Sequence, residues 1–265
     1  MEAVNAPIIS IRGLGLSFTQ DDRYTEVLRG LDLDVARGEF VAIVGASGVG
    51  KSTLLRVLMD LAKPTIGTVD IKAGESAGNE VSRAMAMVFQ DARLLPWRRV
   101  LSNVGFGLEK LKTPKAERRE RSLKALALVG LRDLATRWPH QLSGGQRQRV
   151  ALARALAVDP AILLMDEPFS ALDVATRENL QDELIRIRRE TGKTILFVTH
   201  DIDEAVYLAD RVIALGGKPG EVRAVRAIDT PHPRKRGSLA LAEASQAIKA
   251  GIAAEAAASR EDWVI

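Results

Sequence analysis

FVAIVGASGVGKST, Phe40 to Thr53, joins three kinds of sequence in one short span. Phe40-Val41-Ala42-Ile43-Val44 is an apolar run rich in β-branched residues, the mark of a buried strand. Gly45-Ala46-Ser47-Gly48-Val49-Gly50-Lys51-Ser52 matches the phosphate loop, G-x-x-x-x-G-K-[ST]. From Thr53 onward, Leu54, Leu55, Val57 and Leu58 recur at helical spacing. The loop is therefore expected between a strand end and a helix N-terminus. Glycines permit the backbone twists and close approach that aim several N–H groups at one polyanion, and the helix dipole favours negative charge there. In that reading Gly45 to Thr53 hold a nucleotide's phosphates, Lys51 reaches the β- and γ-phosphates and the Ser52 hydroxyl ligates Mg²⁺. The alternative is a Gly-rich turn with an exposed lysine, and the strand–loop–helix context argues against it.

Other apolar runs also end in polar residues. Ala161-Ile162-Leu163-Leu164-Met165 leads into Asp166-Glu167-Pro168. An aspartate at a strand tip suits a Mg²⁺ shell. Glu167, next along, is expected to point elsewhere because strand side chains alternate, which makes it the natural general base or water-positioning group. The alternative is a pair of solvated carboxylates. Thr194 to Val198 leads into Thr199-His200-Asp201, and Val88-Phe89 leads into Gln90. By themselves His200 and Gln90 carry little, since a lone histidine at a strand end is usually structural or exposed. A second Gly-rich string, Leu142-Ser143-Gly144-Gly145-Gln146, opens a helix through Ala157 that Asp159-Pro160 stops.

The alternation of strands and helices from 161 to 215 predicts an α/β core with a mainly parallel sheet. Residues near 8–18 and 31–36 alternate like strands and predict an N-terminal β subdomain. Residues 91–158 have no convincing strand and read as a helical insert, including a helix from about 114 to 129 that ends at Gly130. Ala-rich residues 239–258 predict a final helix. The expected organisation is a catalytic domain over 1–240 and a helical tail over 241–265. Hydrophobic residues make up 46% of the chain, ample for a core. No apolar run approaches the ~20 residues that span a bilayer, and the N-terminus shows no secretory pattern. With no cysteine and three scattered histidines, neither a disulfide framework nor a zinc pattern is present. The net charge of +4 gathers around Lys110 to Lys124 and in Arg234-Lys235-Arg236. Glu117 and Glu120 interleave the first run, which reads as a solvated helix face rather than a nucleic-acid or membrane patch. The second run has no evident role.

The two Gly-rich motifs in this order resemble the nucleotide-binding subunits of ABC (ATP-binding cassette) transporters, and the likeness extends from about residue 8 to about residue 236. It implies a P-loop NTPase (RecA-like) core, an N-terminal antiparallel β subdomain and a helical subdomain. It also implies ATP and Mg²⁺ as cofactors. By the resemblance Gln90 contacts Mg²⁺ and the attacking water, Asp166 completes the metal shell, and His200 senses the γ-phosphate. Ser170-Ala171-Leu172-Asp173 resembles the D-loop, with Asp173 communicating across a dimer. Ser143, Gly144, Gly145 and Gln146 belong to the signature, which in this family caps the γ-phosphate held by the other subunit of a head-to-tail homodimer. A ring near the N-terminus stacks on adenine in this family. Phe18 stands at that place with Tyr24 as a second candidate, and a buried core role is the alternative for Phe18.

Phe89-Gln90-Asp91-Ala92-Arg93-Leu94-Leu95-Pro96-Trp97 resembles importers of aliphatic sulfonates and the related nitrate and taurine systems. The implied partners are a membrane permease and, indirectly, a periplasmic or extracellular solute-binding protein. The implied location is peripheral, on the cytoplasmic face of the inner membrane. Leu94 to Trp97 is either part of the helical insert's own core or a docking groove for a short helix of the permease. The different-class alternative is a non-transport ABC ATPase acting on DNA or ribosomes. Those proteins usually carry two cassettes or a long coiled coil, whereas this chain has one phosphate loop and no sustained heptads.

Overall fold

The computed structural model describes residues 6–20, 23–72 and 85–261. Strands β1 (Ile9–Gln20), β2 (Arg23–Val35) and β3 (Phe40–Val44) come first, followed by α1 (Lys51–Leu58), β4 (Ile66–Ile71) and β5 (Met85–Val88). A run of helices succeeds them: α2 (Val100–Val104), α3 (Phe106–Lys110), α4 (Lys115–Leu128) and α5 (Gly144–Ala157). Alternation then resumes with β6 (Ile162–Asp166), α6 (Val174–Thr191), β7 (Thr194–Thr199), α7 (Ile202–Leu208) and β8 (Arg211–Gly216), and β9 (Glu221–Ala227) and α8 (Leu239–Glu261) close the chain. Between 91 and 158 the described residues form helices and no strand, as the sequence predicts.

The chain divides into two compact units, Met1–Lys72 with Leu196–Ile265, and Ala73–Ile195. In the first unit β2, β1 and β4 form an antiparallel three-stranded sheet. Ile9, Ile11, Leu14 and Leu16 of β1 are buried and cover Leu28, Leu31 and Val35 of β2 with them. Register shifts between Ile11 and Ser17 break the period of two, so a buried side chain follows Gly13 out of phase with Ile9 and Ile11. The same unit holds β7, β3, β8 and β9 in that order. β3 and β8 are parallel, from Val41 opposite Arg211 to Val44 opposite Ala214, and β9 returns antiparallel along β8. Every residue of β3 and β7 is buried, which explains their continuous apolar sequence. Phe40 and Phe197 meet at 6.0 Å between ring centroids. Asp210 ties the start of β3 to β8 by accepting from the Phe40 N–H at 2.9 Å. The C-terminal helix begins at Leu239, where the Ala-rich sequence predicts it, and buries Leu241, Ser245 and Ile248.

In the second unit β5 and β6 pair in parallel, Met85 opposite Ile162 through Val88 opposite Met165. Helix α5 carries the core there: Val150, Ala151, Leu152, Ala153, Leu156 and Ala157 are all buried. Asn103 closes the turn before α2, accepting from the Leu95 N–H and donating to the Leu95 and Arg98 carbonyls.

Candidate functional site

In the first unit the phosphate loop stands where the sequence puts it, between β3 and α1. Gly50 is the residue before the helix, with φ 104°, and a Cβ there would lie 2.5 Å from Leu28 Cδ2. Glycine is therefore required by both conformation and space. No side chain caps α1, the arrangement that lets a helix N-terminus receive an anion. Lys51 is buried, and its ammonium donates to the loop carbonyls of Gly45 at 2.8 Å and Ala46 at 3.1 Å. The exposed-lysine alternative is thereby excluded. Ala46, Ser47 and Gly48 are exposed, whereas Ser52 and Thr53 are half-buried. His200, at the tip of β7, is exposed. Phe18 is 47% exposed and Tyr24 69%, so the core alternative for Phe18 is wrong. It pairs opposite Thr25, two pairs from Gln20 opposite Arg23 at the closing end of the β1–β2 pairing and beyond the register shifts. The Ser17 hydroxyl donates to Tyr24 at 2.7 Å.

The second unit holds the other candidates. Ser143 is the N-cap of α5: its Oγ accepts from the Gln146 N–H at 3.3 Å, and Gln146 Oε1 accepts from the Ser143 N–H at 3.0 Å. This reciprocal capping box leaves the hydroxyl's own proton to donate to an anion at the helix start. Ser143 and Gly144 are exposed, while Gly145 is buried with a hypothetical Cβ 2.4 Å from Thr176 Cγ2. The glycine thus allows α5 and α6 to approach.

Asp166 is the last residue of β6 and is half-buried. Glu167 lies past the strand end with φ 43°, so its direction is set by a left-handed backbone and not by the pleat alternation that the sequence predicts. A non-glycine residue in that region costs of order 1 kcal/mol or more. The Ser170 hydroxyl donates to the Glu167 carbonyl at 2.9 Å and helps hold the turn. Asp173 caps α6, accepting from the Thr176 N–H at 3.0 Å. That bond holds its carboxyl below the usual carboxylate range. A cavity of about 420 Å³ is lined by Gln90, Asp166, Gly144, Gln148 and Leu172 among others.

Two side chains that the sequence reading passed over fasten the Gln90 loop to α5. Buried Gln148 donates to the Phe89 carbonyl at 2.9 Å, and Arg154 donates to the Ala92 and Arg93 carbonyls at 2.8 Å each. Burial lowers the Arg154 pKa from the usual arginine value. Arg93 has φ 44° and lays its guanidinium 4.4 Å over the Phe89 ring. Gln148 sits on the helix face that also carries the buried Ala151 and Ala155, and a polar residue in that stripe was the available signal. Trp97 is 70% exposed, so it is no part of the insert's core. Neighbouring Leu94 and Leu95 are half-buried.

Among the described residues no group of three His, Cys, Asp or Glu side chains could hold a metal. The Mg²⁺ ligands that the resemblance implies are a carboxylate (Asp166) and an amide (Gln90) in the second unit and a hydroxyl (Ser52) in the first. Hard oxygen donors with few carboxylates fit a Mg²⁺ that keeps water and substrate phosphates in its shell. No described helix is long and apolar enough to cross a membrane.

The family model described as ABC transporter matches residues 28–170. An aliphatic sulfonates import ATP-binding protein of Xanthomonas axonopodis pv. citri is 51% identical over 80% of this chain and 83% of its own length. The aliphatic sulfonates import ATP-binding protein of Escherichia coli K12 is 50% identical over 82% of this chain and 81% of its own length. Among solved structures, a dimeric ATP-binding cassette in a post-hydrolysis state bound to ADP and Pi superposes with a TM-score of 0.72 at 35% identity. It covers 84% of this chain and all of that one.

Proposed function

The chain belongs to the ABC transporter family, and from that premise we propose that it is the ATP-hydrolysing subunit of an importer for aliphatic sulfonates. The observation that carries the ATPase reading is the phosphate loop itself, with a buried lysine folded over the loop carbonyls and an uncapped helix start. In this reading the loop N–H groups from Gly45 to Thr53 and the Lys51 ammonium bind the β- and γ-phosphates. Phe18 or Tyr24, both exposed, offers a ring to adenine. Ser52, Gln90 and Asp166 would hold Mg²⁺, which would supply positive charge to neutralise the phosphates. Glu167 takes the proton of the attacking water or fixes its direction, and His200 contacts the γ-phosphate. Ser143 donates its hydroxyl proton to the nucleotide of a second copy, and Asp173 serves the same interface. A homodimer of such subunits works beneath a permease on the cytoplasmic face of the membrane, and the exposed Trp97 segment meets that permease.

The sulfonate assignment rests on the half-identical relatives that carry this name. It is tested by deleting the gene and measuring uptake of short alkanesulfonates, taurine and nitrate, with and without the plasmid-borne protein. Restored alkanesulfonate uptake is expected. Restoration of taurine or nitrate uptake alone would reassign the solute and leave the ATPase reading standing.

A further inference from the structure

His200 is flanked by a hydrogen-bond relay that binds the backbone on both sides of it. Thr199, the last residue of β7, is buried, and its hydroxyl donates to Glu204 Oε2 at 2.6 Å. The same oxygen of Thr199 accepts from the Asp201 N–H at 3.0 Å. Asp201 in turn caps α7, its carboxylate accepting from the Glu204 N–H at 3.1 Å. In an ordinary capping box the third helical residue's carboxylate takes the cap residue's N–H directly. Here Glu204 reaches the Asp201 amide through the Thr199 hydroxyl. The relay bridges residues 199 and 201 across His200, so the exposed imidazole is presented from backbone fixed at each neighbour. Glu204 is itself buried, and a buried carboxylate accepting a hydroxyl proton makes a short, strong bond.

We propose that Thr199 and Glu204 are positioning residues for His200, holding its backbone so that the imidazole meets the γ-phosphate without a search at each turnover. The inference rests on the reading of His200 given above. Neither residue touches substrate in this account. Their effect passes through the orientation of one side chain, and misplacing a reacting group by about 1 Å can cost up to ~100-fold in rate.

The test is steady-state ATP hydrolysis by the purified full chain. Glu204→Ala and Thr199→Val, which break the relay, should lower kcat by roughly tenfold while KM for ATP stays within about twofold. Glu204→Gln and Thr199→Ser keep an acceptor and a hydroxyl in place and should retain most of kcat. Thr199→Val preserves shape and decides the matter if Glu204→Ala does not fold. His200→Ala supplies the reference: added to it, Glu204→Ala should cost nothing further, because the relay acts only through the imidazole. Equal losses in the conservative and disruptive variants, or a further loss on top of His200→Ala, would overturn the positioning role. Wild-type kcat in His200→Ala would instead remove His200 from the reaction, and the inference with it.

Discussion

Arg234 belongs to a basic run whose sequence suggests no role, and its removal is the sharpest test of the packing around α7. The side chain is buried, with 7% of its surface exposed. Its Nε donates to the Thr230 carbonyl at 2.7 Å, Nη1 to the carbonyls of Val206 at 2.8 Å, Ala209 at 2.7 Å and Tyr207 at 3.2 Å, and Nη2 to Ile228 at 3.2 Å. Three of these acceptors lie in the last turn of α7 or just beyond it, where carbonyls lack helical partners. Nη1 has two protons for three oxygens, so the Tyr207 contact is the weakest of the set. Arg234→Ala would leave several buried carbonyls without donors, at about 1–3 kcal/mol each. Water entering the space left by the side chain offsets part of this, for a net loss on the order of 3–5 kcal/mol. With about 2–4 °C per kcal/mol for a chain of this size, the melting temperature should fall by roughly 10 °C. Arg234→Lys should recover only a minor share, because one ammonium cannot span the positions of a planar five-donor fork. Differential scanning calorimetry on the three proteins checks this. A shift under about 2 °C for Arg234→Ala would show that these bonds exchange freely with water and would refute the reasoning.

Other expectations follow from the same structure. Gly145→Ala drives a methyl to 2.4 Å from Thr176 Cγ2 and should cost about 1–3 kcal/mol in urea unfolding; adding Thr176→Ser, which removes that methyl, should restore most of the loss. Trp97→Ala removes an exposed ring, so the melting temperature should stay within about 2 °C while uptake in cells falls; normal uptake would take Trp97 out of the permease contact. A mixed dimer of one Lys51→Ala subunit and one Ser143→Arg subunit should occlude one nucleotide, since both lesions fall in one composite site, and occlusion of none would argue against exchange of signature motifs between subunits.

The sequence disclosed the features that repeat a local pattern. β3, β6 and β7 announce themselves because they are buried on both faces, and α5 because the Ser143-Gly144-Gly145 turn opens it and Asp159-Pro160 stops it. β4 and β9 did not, since neither has a buried residue to set a period of two. β1 hid part of its pattern behind register shifts, and for the same reason Phe18 could be read as core. Residues whose work is done at long range were illegible. Arg234 acts on carbonyls about 25 residues earlier in the chain, and Gln148 on a carbonyl 59 positions away. Nothing in the neighbouring sequence names those acceptors. Glu167 was placed correctly at the strand end, yet its left-handed backbone could not be seen from a pattern that favours glycine at such φ.

The central claim, that this chain binds ATP through its phosphate loop and hydrolyses it with Glu167, is tested most directly by Glu167→Gln. The substitution keeps size and hydrogen bonding while removing the base, and it leaves Lys51 and the loop carbonyls it bonds untouched. With Mg²⁺ and ATP the purified variant should run as a nucleotide-loaded dimer on size exclusion, with turnover lowered by roughly 100-fold or more. Wild-type turnover in Glu167→Gln, or failure of the variant to bind ATP at all, would contradict the account.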